Sequence, residues 1–222
     1  MVHPKMGTML AFIFTDANIP KKILNTIILE GIQKSFNSIT IDGDTSTNDS
    51  VFFTATCKKK TIINSLKSNK YRKFIKQFNS LLLDLAIQIV QDGEGAKKII
   101  KISVKNAKTY LSAKNIALSV ANSLLVKTFF TSNEPNVGRI FMAIGKSNEL
   151  INQEEISFSL GNYLVAKKGV VLINTNSNKI KKYMGQKQLS LNINLNNGKK
   201  EATVYTCDLT QEYIKINTSY LS

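Results

Sequence analysis

Residues 81–104 read LLLDLAIQIVQDGEGAKKIIKISV, and the apolar period changes in the middle of them. Up to Gln91 the apolar residues recur every three or four positions. Phe74, Phe78, Leu81, Leu82, Leu85 and Ile89 make one face of a helix over roughly Lys70–Gln91. Beyond Lys98 the period falls to two, and Ile100, Ile102 and Val104 alternate as a strand. Between them lies Asp92-Gly93-Glu94-Gly95-Ala96, too short for anything but a tight turn. A long helix feeding a strand through a short glycine loop requires mixed layers of helix and sheet.

The flanks follow the same alternation of types. Met9–Phe14 reads as a buried strand, and Asp16 is placed to cap a helix beginning near Pro20, with Ile23, Leu24, Ile27 and Ile28 on one face. Ser38–Asp42 reads as a second strand running into the polar stretch Asp42–Asp49. Ala113, Ile116, Ala117, Val120 and Leu124 mark another helix with a small-residue face. The last third turns β-rich: Ile156–Leu160, Tyr163–Ala166 and Val170–Ile173 are short strands. Leu189, Leu191, Ile193 and Leu195 alternate into Asn196-Asn197-Gly198, a hairpin signal from which Val204–Asp208 pairs back. Asn174–Lys182 reads as a polar surface loop. The pattern predicts an α+β layered fold rather than a regular series of parallel units.

Composition narrows the chemistry. The chain has 222 residues, 43% of them hydrophobic, enough for one large domain or two packed lobes, about 8–130 and 131–222. No run reaches the roughly 18 apolar residues of a membrane span, and no secretory leader is visible, so a cytoplasmic protein away from membranes is expected. The net charge of +15 invites a nucleic-acid reading. Against it, Arg72 and Arg139 are the only arginines, and arginine is the residue that forks onto phosphate and guanine. A solvated lysine surface is the better reading. Cys57 and Cys207 make neither a metal site nor a disulfide framework. His3 is the only histidine, so a zinc site with several histidines is excluded and a catalytic base other than imidazole is expected.

Three stretches carry chemistry. Asp42-Gly43-Asp44-Thr45-Ser46-Thr47-Asn48-Asp49 reads first as a turn held by its own short polar side chains. Its carboxylates also offer a cation oxygen ligands, but it lacks the spacing and closing glutamate of a calcium loop. Asp92–Gly95 reads equally as a capped helix end with a solvated glutamate, or as a sharp turn that brings Glu94 to a ligand. Thr8 is a weak nucleophile alone. If the bond before it is cut, its new α-amine, with a pKa of about 8, becomes the base that histidine cannot supply. Gly7 suits a strained bond at that place.

These stretches share one family. MGTMLAFIFTDA, SFNSITIDGDTSTNDS, DGEGAKK, SLLVKTFF, EPNVGRI and CDLTQEYIKINTSYLS occur in that order from residue 1 to residue 222. Together they resemble the β-chain half of the ornithine acetyltransferase (glutamate N-acetyltransferase) family of bifunctional arginine-biosynthesis proteins. The resemblance implies a layered α/β sandwich of the ornithine acetyltransferase/DmpA-like type with a β-rich C-terminal part. It also implies a longer precursor that cuts itself before a threonine into α and β chains that stay together as an (αβ)2 assembly. Residues 1–7 would be the tail of the α portion and 8–222 the β chain.

By motif, the cleaved bond is Gly7–Thr8 and the nucleophile is Thr8. Glu94, Asn217 and Ser222 join Thr8 in binding substrate. The resemblance implies transfer of an acetyl group from N-acetylornithine to glutamate through an acetyl-threonine intermediate. It implies no metal or cofactor, with acetyl-CoA as a further donor in some members, and no nucleic acid.

The departures are specific. Gly7 stands where the family has alanine, Lys97 where it has threonine after DGEGA, and Val137 where it has tryptophan. The lysine of the family's KGSGM segment and the Thr-Gly oxyanion pair belong to the absent α portion. Two other readings stand beside this one: an inactive fragment or basic binding protein without catalysis, and a self-cleaving aminopeptidase with the same nucleophile logic. DGEGA and the INTSYLS tail favour the acetyltransferase.

Overall fold

The computed structural model describes residues 9–60, 62–132, 136–172 and 178–219. The chain forms two compact units, one of residues up to Ile39 with Thr45–Ile89, the other of Thr40–Asp44 with Val90 onward. Both mix helices with sheet, as the α+β reading expects.

The first unit pairs β1 (Leu10–Thr15) with β2 (Ser50–Ala55) in parallel, from Leu10 opposite Ser50 to Thr15 opposite Ala55. The helices α1 (Lys21–Gln33) and α2 (Asn69–Gln91) supply its core. Ile13, Ile19, Ile27, Ile63, Tyr71, Phe78 and Leu82 are buried together, with Phe53 and Phe78 rings 4.5 Å apart. The α2 boundaries agree with the periodicity within one residue at the start and match it at the end.

Three local expectations fail in this unit or at its border. β1 is not a buried strand: only Ile13 is enclosed, while Leu10, Phe12 and Phe14 face outward. Asp16 caps nothing on α1, whose N-cap position is Pro20 without a side-chain bond; it pairs instead with Lys59 at 3.3 Å. Ser38–Asp42 is no strand, because a 3-10 turn takes Phe36–Ser38. The partner of β1 is β2, whose Phe52-Phe53 pair alternation alone did not single out.

The second unit is built on a six-stranded mixed sheet in the order β6-β5-β4-β7-β3-β8. Its strands are β3 (Ile99–Ala107), β4 (Ser157–Leu160), β5 (Tyr163–Lys167), β6 (Val170–Val171), β7 (Gln188–Asn194) and β8 (Lys200–Cys207). Ile100, Ile102 and Val104 of β3 and Leu191 of β7 are fully buried, each such side chain contributing about 1.5–3 kcal/mol. The helices α3 (Tyr110–Ala121), α4 (Leu124–Thr131), α5 (Gly138–Gly145) and α6 (Asn178–Met184) complete the unit together with α7 (Gln211–Thr218). α3 starts at Thr109, whose Oγ1 accepts from the Ser112 amide at 3.0 Å. Its Ala113, Ile116, Ala117 and Val120 are buried as expected, but Leu124 opens α4 and is exposed. Lys179–Lys182 belongs to α6 rather than to a loop, since Ile180 and Met184 are buried; Ile173 and Asn174–Ser177 lie outside the described residues.

The hairpin expectation is overturned. β7 and β8 do not pair with each other; β3 runs between them, parallel to β7 and antiparallel to β8. The connection hooks over the end of β3, where the Asn197 amide donates to the Asn106 carbonyl at 2.8 Å. A Cβ on Gly198 would collide with the Ala107 carbonyl, so glycine serves that crossing rather than a two-residue hairpin. β3, whose Ile100, Ile102 and Val104 are fully buried, takes the place between β7 and β8, and a local turn signal does not outweigh that burial.

Candidate functional site

Glu94 sits on the turn between α2 and β3, and four interactions fix that turn. The Ala96 amide donates to the Gly93 carbonyl at 2.9 Å. Gly95 has φ +66°, and its carbonyl accepts from Thr210 Oγ1 at 2.7 Å. The Lys97 and Lys98 amides both donate to Asp208 Oδ1 at 2.9 Å. Lys98 Nζ then reaches the Phe130 carbonyl at 2.7 Å and the Met184 carbonyl at 2.8 Å. Those carbonyls lie at the C-terminal ends of α4 and α6, where a cation is favoured. Burial lowers the Lys98 pKa, and Asp208 opposes the shift. Lys97 contributes only its backbone to this arrangement and its side chain is exposed, so a lysine in place of threonine is tolerated.

The turn is pressed against the start of α7. A Cβ on Gly95 would lie 2.5 Å from the Tyr213 nitrogen. This approach brings Glu94 beside Asn217 on the next turns of α7: Asn217 Nδ2 donates to Glu94 Oε2 at 2.7 Å and to the Tyr213 carbonyl at 2.9 Å. Tyr213 donates its hydroxyl to Asp42 Oδ2 at 3.3 Å, while Asp42 Oδ1 accepts from the Asp44 amide at 3.0 Å. Burial pushes the Tyr213 phenol up, and Glu94 and then Asp44 add to the shift, so the phenol stays protonated and a donor. Two carboxylates are thus gathered around one helix in a strongly basic chain. Carboxylates so placed at the surface suit an ammonium group, with the exposed Asn217 amide as a neutral partner.

Beneath it lies Lys127 of α4, 1% exposed. Its Nζ donates to Thr206 Oγ1 and to the Cys207 carbonyl, each at 2.7 Å. Burial lowers its pKa against the opposing fields of Cys207 and Asp208. The lysine therefore ties α4 to the end of β8, directly before the Asp208 that holds the Glu94 turn.

Of the residues the sequence singled out, Glu94 and Asn217 are brought together. Gly7, Thr8 and Ser222 lie outside the described residues. Met9, next to Thr8, is described: its amide donates to Asp49 Oδ1 at 3.0 Å and its carbonyl accepts from the Ser50 amide at 2.9 Å. The IDGDTSTND stretch is thus divided between two tasks, Asp42 at Tyr213 and Asp49 at Met9. Neither role was assigned to it from sequence. Tyr213 and Lys127 were missed as well; the only signal for Lys127 is a lone cation inside the apolar run Leu124–Phe130. Among the described residues no group of His, Cys, Asp and Glu is placed to hold a metal ion, and no helix is long and apolar enough to cross a membrane.

The ArgJ family model matches residues 1–222. The chain is 41% identical, over its whole length, to the arginine biosynthesis bifunctional protein ArgJ of Gluconobacter oxydans, of which it covers 53%. It is 41% identical to the protein of the same name from Bartonella henselae, covering 54% of that one. The chain therefore spans about half the length of the curated relatives it matches. Its fold is similar to the crystal structure of the arginine biosynthesis bifunctional protein argJ from Bacillus halodurans, with a TM-score of 0.90 and 34% identity over 96% of this chain and 100% of that one.

Proposed function

Because the chain belongs to the ArgJ family, we propose that it is the β half of an acetyltransferase of arginine biosynthesis, working with an α half as an (αβ)2 assembly in the cytoplasm. The bond Gly7–Thr8 is cut, and Thr8 becomes the N-terminal nucleophile. Its amine takes the hydroxyl proton as Oγ attacks the acetyl carbonyl of N-acetylornithine. The tetrahedral intermediate collapses, the proton passes to the departing ornithine amine, and acetyl-threonine remains. The glutamate amine then attacks that ester, regenerating Thr8 and leaving N-acetylglutamate. Acetyl-CoA, a donor for some members of the family, is the second donor to test at the same threonine, and the reading calls on no metal or organic cofactor.

In this reading Glu94 receives the substrate ammonium, Asn217 orients that carboxylate through its Nδ2 and contacts the substrate alongside it, and Ser222 joins them in binding substrate. The observation that carries the reading is the 2.7 Å link between Glu94 and Asn217, 123 positions apart, joining two of the residues that the family resemblance assigns to substrate. The link between Met9 and Asp49 supports it, since it anchors the chain one residue from the proposed nucleophile.

The test is mass spectrometry of the chain co-produced with an α half and mixed with N-acetylornithine. A mature chain beginning at Thr8 and carrying one acetyl group is expected. An uncut chain, or acetyl transfer undiminished in Thr8→Ala, overturns the mechanism.

A further inference from the structure

Thr109 and Thr210 both stand at the N-cap position of a helix in the second unit, and they use their hydroxyls differently. Thr109 caps its own helix, accepting from the Ser112 amide at 3.0 Å, as threonine at that position ordinarily does. Thr210, at the start of α7, makes no such bond. It is buried, and its Oγ1 donates across the chain to the Gly95 carbonyl at 2.7 Å. The hydroxyl thus serves the residue after Glu94 instead of the helix that Thr210 begins. The two are in close approach, since a Cβ on Gly95 would lie 2.9 Å from Thr210 Oγ1 and 2.9 Å from the Glu212 carbonyl carbon. Asp208 holds the far side of the turn at the Lys97 and Lys98 amides. Thr131 Oγ1 anchors the residue between them, donating to the Leu209 carbonyl at 2.7 Å. Of these bonds, that of Thr210 is the one that reaches the neighbour of Glu94. Asn217, which donates to Glu94 Oε2, rides on the helix that Thr210 begins. One hydroxyl therefore sets both sides of that link: the donor's helix starts at it and the acceptor's turn is bonded to it.

We propose that Thr210 is a positioning residue for Glu94: acting through the Gly95 carbonyl, it holds the carboxylate and Asn217 in the register at which the carboxylate receives the substrate ammonium. This rests on the reading of Glu94 given above. Thr210 itself touches no substrate. It acts because a charged contact depends steeply on placement, and a turn released at Gly95 lets the carboxylate drift from the ammonium it meets.

The test has two readouts. The first is kcat/KM for N-acetylornithine in this chain co-produced with an α half. Valine at 210 keeps the shape and loses the donor, whereas serine keeps the donor. Thr210→Val is expected to lower kcat/KM about tenfold, and Thr210→Ser to stay within about twofold of the parent. Made on top of Glu94→Gln, Thr210→Val is expected to cost less than about twofold, because residues acting through one contact are not additive. A threonine that only supports the fold costs the same in both backgrounds, and that result overturns the proposal. So does parental activity in Thr210→Val, or a loss in Thr210→Ser as large as in Thr210→Val. The second readout needs no turnover: the side-chain amide resonance of Asn217 in the full chain, labelled with nitrogen-15 on asparagine. Glu94→Gln gives its position without a carboxylate partner. Thr210→Val is expected at that position and Thr210→Ser at the parent's. A Thr210→Val resonance at the parent's position, or a parent resonance no different from that of Glu94→Gln, overturns the proposal. If thermal melts show Thr210→Val unfolded, Thr210→Cys, a weaker donor, takes its place in both readouts. If the parent transfers no acetyl group, the resonance alone decides. A resonance displaced by Thr210→Val with turnover unchanged in Glu94→Gln leaves the positioning standing and overturns the role of Glu94 in binding substrate.

Discussion

Asn217 Nδ2 lies 2.7 Å from Glu94 Oε2, so the C-terminal helix closes onto the turn that leaves α2. The pair orients a carboxylate that faces partly into solvent. Glu94→Gln keeps the shape and removes the charge that an ammonium group would meet. On the proposed function it should lower kcat/KM for N-acetylornithine by about 10–100-fold, the value of one charged hydrogen bond of about 1.5–3 kcal/mol. Asn217→Ala should act mainly on KM. Steady-state kinetics of this chain co-produced with the proposed α half separate the two effects.

Gly95 is expected to tolerate no side chain. Its φ of +66° and the Tyr213 nitrogen 2.5 Å from a Cβ there mean that Gly95→Ala must move α7. Strain of that kind costs about 1–3 kcal/mol, and a calorimetric scan should register a lower Tm, by about 2–4 °C per kcal/mol for a chain of this size. A melting point unchanged from the parent would mean that the turn and α7 are not tightly joined.

Lys127 gives stability a pH dependence of known sign. Burial lowers its folded pKa below the ordinary value of 10.5 that it keeps when unfolded. Between those two values the unfolded chain binds more protons, so stability rises with pH through that window. Below the window the burial penalty is present in full. Denaturation curves of the parent and Lys127→Met, taken from neutral pH to pH 10.5, should show the parent gaining on the variant as pH rises. Lys127→Ala should be destabilised by about 3 kcal/mol, through a cavity and two unpaired oxygen acceptors.

The two cysteines should behave oppositely. Cys57 is exposed, whereas Cys207 is buried and burial raises its thiol pKa despite the neighbouring Lys127. A maleimide should label Cys57 within minutes in the native chain and reach Cys207 only after denaturant is added. Equal labelling of both would show that β8 opens readily at its end.

Much of the element content follows from period alone. The face of Phe74, Phe78, Leu82 and Leu85 is helical wherever it is placed, and Ile100, Ile102 and Val104 alternate whichever strand they meet. What failed were particular judgements of partner or burial. Asn196-Asn197-Gly198 has the chemistry of a hairpin, but the β7 strand it leaves pairs with β3. Leu10, Phe12 and Phe14 have the composition of a core and are exposed. Asp16 has the chemistry of a cap, yet it pairs with a lysine. Lys127 has the chemistry of a surface and is enclosed.

The sequence by itself determined the family, the α+β class and the α2-turn-β3 junction, because short ordered motifs and local periods are properties of neighbouring residues. Only the tertiary structure decided that Asn217 closes on Glu94, that Asp208 holds that turn while the buried Lys127 ties α4 to the end of β8, and that β3 separates β7 from β8. Those are pairings across up to 123 positions, set by which apolar faces are buried together, and no local pattern encodes them.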